Sequence, residues 1–464
     1  MADSDGSTSP GIARRKHSGL GRSMRILAFD HFFWQDLDEL SLIAEPEHEV
    51  IRISYQRWHQ VARRFFPASA FDGISNAYQA DMSECWTKYE AWVRKETAWM
   101  INAYRPNLFV TPSDVFFYLR PFITAFKEFG LNTFVMQKET TISPLVMDMH
   151  SVEIGRYVPF MSDFMTVCSE RHKEFWLRAG VKSDLVAVTG QPRFDIYKRD
   201  IVGGPSKAVT ATKILYLSYD DSAYLPSDLG SDFDGSWKKQ RQETEMVLTD
   251  ISLDSEITVK KHPQQSLAGD WLGPNVRRAD RFADTRKLIV EADVVVGFQT
   301  TALYEAAVAG KPTIYAAWGE VFEENKESLI RFDLAGELVT HALSSDHLRE
   351  LLSQRSEDLP KASEVGLRVV YDELGPIDGH ATERTWDLMQ SFFSDVSAPR
   401  IKCIEKLRAV KQVFFVFFYF ALLVASKVFM PARTEGIRRH LKNSIQVLCE
   451  LKRLMTNSRK VVYD

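Results

Sequence analysis

Short apolar runs alternate with longer helical stretches along most of this 464-residue chain, and this alternation constrains the fold more than any other feature. The run at 24–29 (MRILAF) is typical of a buried strand, whereas residues 81–104 carry a long Trp-rich helical pattern. Strands separated by helices predict parallel sheets built from βαβ units. The strand candidates are 24–29, 49–53, 108–111, 133–137, 164–167, 185–188, 213–217, 256–260, 293–296 and 313–315.

The strand candidates fall into two series separated by Gly203-Gly204-Pro205, a sequence typical of a linker. We therefore predict an α/β fold of two doubly wound, Rossmann-like domains, at 24–204 and 205–395, that face each other across a cleft. In such sheets ligands bind outside the carboxyl ends of the strands. The polar, Ser- and Gly-rich residues 1–23 are predicted to be a disordered leader.

Residues 396–464 differ from the rest of the chain and are predicted to form a membrane-associating helical tail. The stretch 413–426 (VFFVFFYFALLVAS) is almost wholly apolar, but it is short for a membrane span of about 20 residues. Lys and Arg flank it on both sides, so residues 400–455 are suited to an anionic membrane surface. This places the protein in the cytoplasm, peripheral or monotopic at the inner membrane. A buried core helix or a dimer helix is the alternative for the apolar stretch.

Composition and missing motifs exclude several classes of protein. The chain has 58 basic and 62 acidic residues, so a nucleic-acid partner is not expected. Its four cysteines are scattered, which argues against a disulfide scaffold or a zinc site. No P-loop and no GxGxxG fingerprint follows a strand. No metal is expected either, since the DxD triplet at 232–234 lies in a Ser- and Gly-rich loop.

Basic residues follow the strand candidate at 256–260. Lys260, Lys261 and His262 precede Pro263, which fixes the turn. Cationic groups at a strand end can bind the diphosphate of a donor. A surface basic turn would have the same sequence, and position alone does not separate the two interpretations.

A small-residue turn follows the strand candidate at 293–296 and leads into a helix. Gln299, Thr300 and Thr301 would bring backbone N–H groups and hydroxyls together, which favours phosphate binding. Glu305 lies one helical turn beyond Thr301, where a carboxylate could bind ribose hydroxyls. Ordinary helix capping by a threonine is the alternative.

Two further candidates come from the first half of the chain. Arg193 follows a Gly turn at the end of the first series, where it could bind an anion or belong to a structural turn between domains. Glu139 follows the strand candidate at 133–137 and is the candidate general base for an acceptor hydroxyl. Asp30 and His31, after the first strand, compete with Glu139 for that role.

Four segments resemble those of bacterial GT-B type transferases that build surface polysaccharides, above all CDP-glycerol glycerophosphotransferase-like enzymes and capsule glycosyltransferases. The segments are VTGQPRFDIY (188–197), ITVKKHPQ (257–264), ADVVVGFQTTALYEAAVAGKPTIY (292–315) and LGPIDGHATERTWDLM (374–389).

The resemblance implies a nucleotide-sugar or CDP-polyol donor bound by the second domain and a glycan or lipid-linked acceptor bound by the first. It implies that His262, Thr300 and Thr301 contact donor phosphates, with His262 also catalytic, and that no cofactor is needed. A non-hydrolysing UDP-sugar 2-epimerase is an alternative, although its Ser-Gly-Gly turn is replaced by Gln299-Thr300-Thr301. A membrane-recruited scaffold without catalytic activity is another.

Overall fold

The protein, represented by a computed structural model, contains two parallel β-sheets of six strands each within the described part of the chain. The structure describes residues 24–30, 34–44, 48–137, 144–199, 212–221, 236–261, 274–280 and 283–393.

Twelve strands form the two sheets of the described residues. Those of the N-terminal sheet are β1 (Arg25–Asp30), β2 (Glu49–Ser54), β3 (Leu108–Thr111), β4 (Asn132–Met136), β5 (Phe164–Val167) and β6 (Val186–Val188). Those of the C-terminal sheet are β7 (Thr212–Ser218), β8 (Ser255–Lys261), β9 (Val276–Arg278), β10 (Val294–Gly297), β11 (Thr313–Ala316) and β12 (Thr340–Ala342).

Helices connect the strands in both halves. In the first half they are α1 (Trp34–Ile43), α2 (Tyr55–Ala62), α3 (Ser83–Tyr104), α4 (Arg120–Glu128), α5 (Pro144–Tyr157), α6 (Glu170–Arg178) and α7 (Ile196–Arg199). In the second they are α8 (Lys238–Ile251), α9 (Thr285–Glu291), α10 (Ala302–Val308), α11 (Glu320–Asn325), α12 (Ser345–Leu352), α13 (Glu364–Leu374) and α14 (Ala381–Gln390).

The N-terminal sheet has the strand order β2-β1-β3-β4-β5-β6 and is covered by helices on both faces. Successive side chains of a strand point to opposite faces, so each strand contributes to two cores. Leu27 and Phe29 pack with α2, α3 and α4, whereas Ile26 and Ala28 pack with α1 and α14. Burial on both faces explains why these strands read as unbroken apolar runs.

The C-terminal sheet has the order β12-β11-β10-β7-β8-β9 and is built in the same way. Leu215 and Leu217 pack on the face covered by α9, α10 and α13. Ile214 and Tyr216 point to the opposite face, which α8 and α12 cover. The predicted fold class of two doubly wound parallel α/β domains is therefore confirmed.

Helix α14 follows the C-terminal sheet in sequence but packs against the N-terminal sheet. Trp386 and Met389 join the apolar cluster that contains β1 and β3 residues. The carboxylate of Asp195, in the connection between the sheets, accepts hydrogen bonds from the backbone N–H groups of Ala381 (3.1 Å) and Thr382 (2.7 Å). These contacts fix the start of α14 and link the two halves a second time.

The ten strand candidates and the helix at 81–104 are confirmed, with ends that shift by at most two residues. Strands β9 and β12 were not predicted because they are three residues long, and both include polar residues (VRR and THA). They are strands because each pairs with its neighbour at one edge of the sheet, β9 with β8 and β12 with β11. Edge strands carry little of the apolar signal on which such predictions depend.

Several predictions lie outside the described residues. They include the leader, the linker at 203–205, the DxD triplet and the tail at 396–464, so the predicted domain boundaries stay predictions. Among the helices that the structure describes, none is both long and apolar enough to cross a membrane.

Candidate functional site

The chain order of the strands singles out one crevice in each sheet. In the C-terminal sheet, β8 and then β9 lie on one side of β7. The next strand in the chain, β10, pairs with β7 on its other side. In open α/β sheets, ligands bind where the strand order reverses, at the carboxyl ends of the strands. In this sheet that position lies between the ends of β7 and β10. Asp220 and Asp221 follow β7, and Thr300 and Thr301 follow β10.

The predicted threonine pair therefore lies at the switch point of the C-terminal sheet. Both residues are partly exposed. The Thr300 hydroxyl accepts a hydrogen bond from the backbone N–H of Ala302 (3.3 Å). The Thr301 hydroxyl has no hydrogen-bond partner among the described residues and makes no capping bond to α10. A ligand in the crevice could therefore reach the Thr301 hydroxyl without displacing an internal bond.

Gln299 is placed differently from its two neighbours, although the sequence grouped all three. Its side chain is only 2% exposed. The carboxamide donates to the Tyr315 hydroxyl (2.9 Å) and the Ile330 carbonyl (2.8 Å), and it accepts from the Ile330 N–H (2.9 Å). The side chain of Gln299 is thus occupied by contacts within the protein, and its role as a ligand contact stays a prediction.

The basic residues after β8 split between the interior and the surface. Lys260 is buried, and its ammonium group donates to the backbone carbonyl of Asp280 (3.3 Å). Lys261 is the last residue of β8, is partly exposed, and pairs in register with Ser218 at the end of β7. Lys261 is thus the better placed of the two for a ligand at the switch point. His262 lies outside the described residues.

A cavity of about 420 Å³ lies between the beginnings of α8 and α11. Trp237, Lys238, Glu243 and Trp318 line it. Trp237 packs on Phe298, with ring centroids 4.8 Å apart, which places the cavity beside the loop that carries the threonine pair. Its size falls in the range of small-molecule sites, and it combines aromatic walls with a few charged groups.

The two halves of the chain contact each other where segments that follow strand ends meet. We call this contact region, which includes Gln35, Glu39, Arg193, Asp284 and Arg286, the joint. Gln35, after β1, donates to the Asp284 carboxylate (2.7 Å), which precedes α9 of the second half. The Arg286 guanidinium reaches the Glu39 carboxylate (3.0 Å) and the backbone carbonyl of Arg193 (3.1 Å), which follows β6. Segments that follow strand ends in one sheet thus contact segments that follow strand ends in the other.

Arg193 belongs to this joint. Its guanidinium is 3.5 Å from the buried carboxylate of Asp36, and its backbone N–H donates to the same carboxylate (2.9 Å). Gly190, three residues earlier, has φ +74°, and a Cβ there would lie 2.6 Å from the Pro376 carbonyl oxygen. These contacts agree with the second alternative for Arg193, a structural turn between the domains. Anion binding by Arg193 stays a prediction.

Glu305 also lies at the joint. Its carboxylate accepts a hydrogen bond from the Tyr197 hydroxyl (2.5 Å). Burial raises the pKa of Glu305 above its ordinary value, although Arg193 and the Tyr197 hydroxyl act in the opposite direction. The ribose contact predicted for Glu305 would require the carboxylate to share or exchange the Tyr197 bond, and it stays a prediction.

The sequence did not point to Asp36, Glu39, Asp284 or Arg286. Asp36, Glu39 and Arg286 are at most 3% exposed, which is unusual for charged side chains and requires partners. The one available signal was the spacing of Asp36 and Glu39, which are three residues apart and each directly precede a leucine of α1, Leu37 and Leu40.

On the N-terminal side of the crevice, Glu139 and His31 lie outside the described residues. Asp30 ends β1, and burial raises its pKa above the ordinary value, with Arg52 opposing and Asp38 adding to the shift. Gln137, directly after β4, is buried, and its side-chain oxygen has no hydrogen-bond partner among the residues that the structure describes. Polar groups therefore lie at the carboxyl ends of two strands of the N-terminal sheet, β1 and β4.

Two doubly wound parallel sheets joined at their carboxyl edges, with a last helix that returns to the first half, form a GT-B-like fold. The GT-B type resemblance of the sequence motifs is confirmed at the level of the fold. No protein-family model matches the chain, and no curated protein matches it.

Solved structures similar to this chain cover most of its length. A putative UDP-N-acetylglucosamine 2-epimerase from Listeria monocytogenes is 13% identical, with a TM-score of 0.47 over 82% of this chain and 99% of its own. The wall teichoic acid polymerase TagF is 10% identical, with a TM-score of 0.45 over 80% and 89%. A glycotransferase of kitacinnamycin is 14% identical, with a TM-score of 0.43 over 80% and 98%.

Proposed function

We propose that this chain is a glycosyltransferase-like enzyme of cell-surface polysaccharide synthesis. It transfers a sugar, or a polyol phosphate, from a nucleotide-activated donor to a glycan or lipid-linked acceptor. The donor binds the C-terminal half and the acceptor binds the N-terminal half, at the cytoplasmic face of the membrane.

One observation carries the proposal: a threonine pair lies at the switch point of the C-terminal sheet, in a chain whose two doubly wound sheets contact each other through segments that follow strand ends. The Thr301 hydroxyl makes no hydrogen bond to another described residue, and Lys261 ends a strand of the same edge. The neighbouring cavity of about 420 Å³ provides room for the rest of a donor. A single sheet would suffice to bind a nucleotide, whereas two facing sheets can hold a donor and an acceptor together.

The proposed chemistry follows from the charge that develops during transfer. The acceptor hydroxyl oxygen attacks the anomeric carbon of the donor sugar, and the bond from that carbon to the diphosphate breaks. Negative charge grows on the departing nucleoside diphosphate, which hydroxyl and cationic groups stabilise. Thr300, Thr301, Lys261 and His262 fill this role in the proposal. Glu139 takes the proton from the acceptor hydroxyl.

A thermal-shift screen of the full chain against UDP-, CDP-, GDP- and CMP-linked donors tests the proposal. A ligand that binds only the folded state stabilises it by about 2.7 kcal/mol when present at 100 times its Kd. We expect one class of donor to raise the Tm of the wild type and of Thr87→Ala, and to have a much smaller effect on Thr301→Ala. Thr87 is a matched control because it is an exposed threonine on α3, outside the crevice.

The outcomes separate the alternatives. No shift with any donor would contradict the transferase proposal and favour a scaffold. A shift accompanied by conversion of a UDP-sugar into its epimer, without any acceptor, would favour the 2-epimerase alternative. Equal shifts in Thr301→Ala and the wild type would place the donor elsewhere.

The proposed location has a test of its own. Full-length protein should sediment with vesicles that contain anionic phosphatidylglycerol, and much less with vesicles of neutral phosphatidylcholine, because residues 400–455 are rich in Lys and Arg. Salt should weaken the interaction. Equal binding to both vesicles, or to neither, would contradict the proposed membrane surface.

A further inference from the structure

Gln299 has a backbone conformation that side chains rarely adopt. Its φ is +47°, and it is one of three non-glycine residues with positive φ among the described residues, with Arg105 and Asn275. For an L-residue other than Gly, Asn or Asp the left-handed region costs roughly 1–2 kcal/mol. The surrounding structure must compensate for this cost, and the strained residue directly precedes the threonine pair.

The compensating contacts are those of the buried carboxamide. The Ile330 N–H and C=O both bond to Gln299, so the side chain pairs with the backbone of Ile330 much as a neighbouring strand would. The third bond goes to the Tyr315 hydroxyl at the end of β11. A carboxamide has two N–H donors and one carbonyl oxygen, and each takes part in this set of bonds. We call these three bonds the Gln299 clamp.

A second contact holds the same turn from its other side. The ring of Phe298 stacks on that of Tyr315, with centroids 5.8 Å apart and planes 3° from parallel. Tyr315 therefore contacts both residues that precede the threonines. The chain turns sharply at Gln299, and the next two residues, Thr300 and Thr301, lie at the switch point. The clamp thus determines where the hydroxyls of Thr300 and Thr301 point.

We propose that Gln299 is a positioning residue, which holds the left-handed turn so that Thr301 meets the phosphate groups of the donor. This inference rests on the proposed function, since it requires a nucleotide ligand at the switch point. It replaces direct ligand contact by Gln299, suggested by its place in the sequence, with an effect transmitted through Thr301.

Gln299→Asn isolates the clamp from the backbone requirement. Asparagine tolerates the left-handed region better than glutamine, but its side chain is one methylene shorter and cannot span the distance to Ile330. The Ile330 N–H, which now donates to Gln299, should then exchange with solvent about tenfold faster or more in hydrogen-exchange mass spectrometry of the ligand-free chain. Tyr315→Phe is the matched control, because it removes one clamp bond and leaves the Ile330 pair in place.

A double-mutant cycle tests whether the clamp acts through Thr301. Calorimetric titration with UDP and with CDP should show about tenfold weaker binding by Gln299→Asn, and Gln299→Asn/Thr301→Ala should bind no more weakly than Thr301→Ala alone. Gln299→Glu, which keeps the length but cannot donate to the Ile330 carbonyl, should weaken binding as well. A residue with a merely structural role would give additive losses in the cycle.

The two measurements separate the inference from the function on which it rests. Unchanged exchange at Ile330, or additive losses of affinity in the double mutant, would overturn the inference. Nucleotide binding by the wild type would still support the proposed function in that case. Failure of the wild type to bind either nucleotide, together with a negative donor screen, would overturn both. Faster exchange with non-additive binding losses would establish the positioning role.

Discussion

The surroundings of the Glu305 carboxyl group shift its pKa upwards. Burial is the largest influence on it and raises its pKa above the ordinary value, more than Arg193 and the Tyr197 hydroxyl lower it. The folded state therefore binds the proton more tightly than the unfolded state does. The sequence suggested a ligand role for this residue, and the structure adds a contact with the Tyr197 hydroxyl at the joint.

Glu305→Gln should reveal this linkage through the pH dependence of stability. Glutamine keeps an acceptor for the Tyr197 hydroxyl and carries no charge. Because the folded pKa of Glu305 is raised, the wild type should lose stability relative to the variant as pH rises from the ordinary pKa through the folded one. The loss amounts to about 1.4 kcal/mol for each pH unit that separates these two pKa values. Urea unfolding at several pH values from about 4 upwards measures the difference, and a gap that grows in favour of the wild type with rising pH would contradict the linkage.

The sequence predicted the positions of some candidate-site residues but not the contacts of others. Thr300 and Thr301 were placed at a strand end because an apolar run, a turn and a helix follow one another locally. The partners of Arg193 and Glu305 could not be predicted, since Asp36 lies 157 residues before Arg193 and Tyr197 lies 108 residues before Glu305. Local patterns fix the position of a residue on its element, whereas pairing depends on how distant elements pack.

At the scale of elements, the end of α13 packs closely against the end of β5. Gly375 follows α13 with φ +80°, and a Cβ there would lie 1.6 Å from the carbonyl oxygen of Cys168, just beyond β5. The sequence motif 374–389 contains this glycine, but nothing local showed that its lack of a side chain is needed for packing as well as for the turn. The contact brings an element of the second half against the N-terminal sheet.

Gly375→Ala should be far more destabilising than Gly310→Ala. Both glycines follow helices with positive φ, +80° and +69°, so both variants carry the backbone cost of about 1–2 kcal/mol. Only at Gly375 does the new methyl group collide with backbone, since nothing lies within 4 Å of the corresponding position at Gly310. We expect a loss of more than about 3 kcal/mol for Gly375→Ala by urea unfolding. Equal losses in the two variants would show that the contact relaxes easily.

For the whole molecule, the contacts at the joint determine whether the two halves unfold as one cooperative unit. The described residues of both sheets fall within a single compact unit. The joint contains ion pairs between α1 and α9, since the buried Glu39 bonds to Arg286 (3.0 Å), with Asp284 bonded to the same guanidinium (2.7 Å). Most of this network is withdrawn from water, so its members depend on one another far more than surface pairs do.

Arg286→Ala should therefore weaken the coupling between the halves. Arg199 (2.8 Å) is then the ion-pair partner that Glu39 keeps among the described residues, and removal of one partner from a buried pair costs about 3–5 kcal/mol. Arg349→Ala is the matched control, because Arg349 pairs with Asp250 and Asp346 at the surface, where a pair contributes about 1 kcal/mol or less.

Differential scanning calorimetry distinguishes the two variants by the shape of the transition as well as by its midpoint. We expect the wild type and Arg349→Ala to unfold with calorimetric and van't Hoff enthalpies that agree, as for one cooperative unit. Arg286→Ala should give a calorimetric enthalpy larger than the van't Hoff value, because the halves then unfold separately. A single sharp transition in Arg286→Ala would mean that α14 and the Gly375 contact couple the halves without the ion pairs. In that case packing, rather than charge, would hold the two sides of the crevice in place.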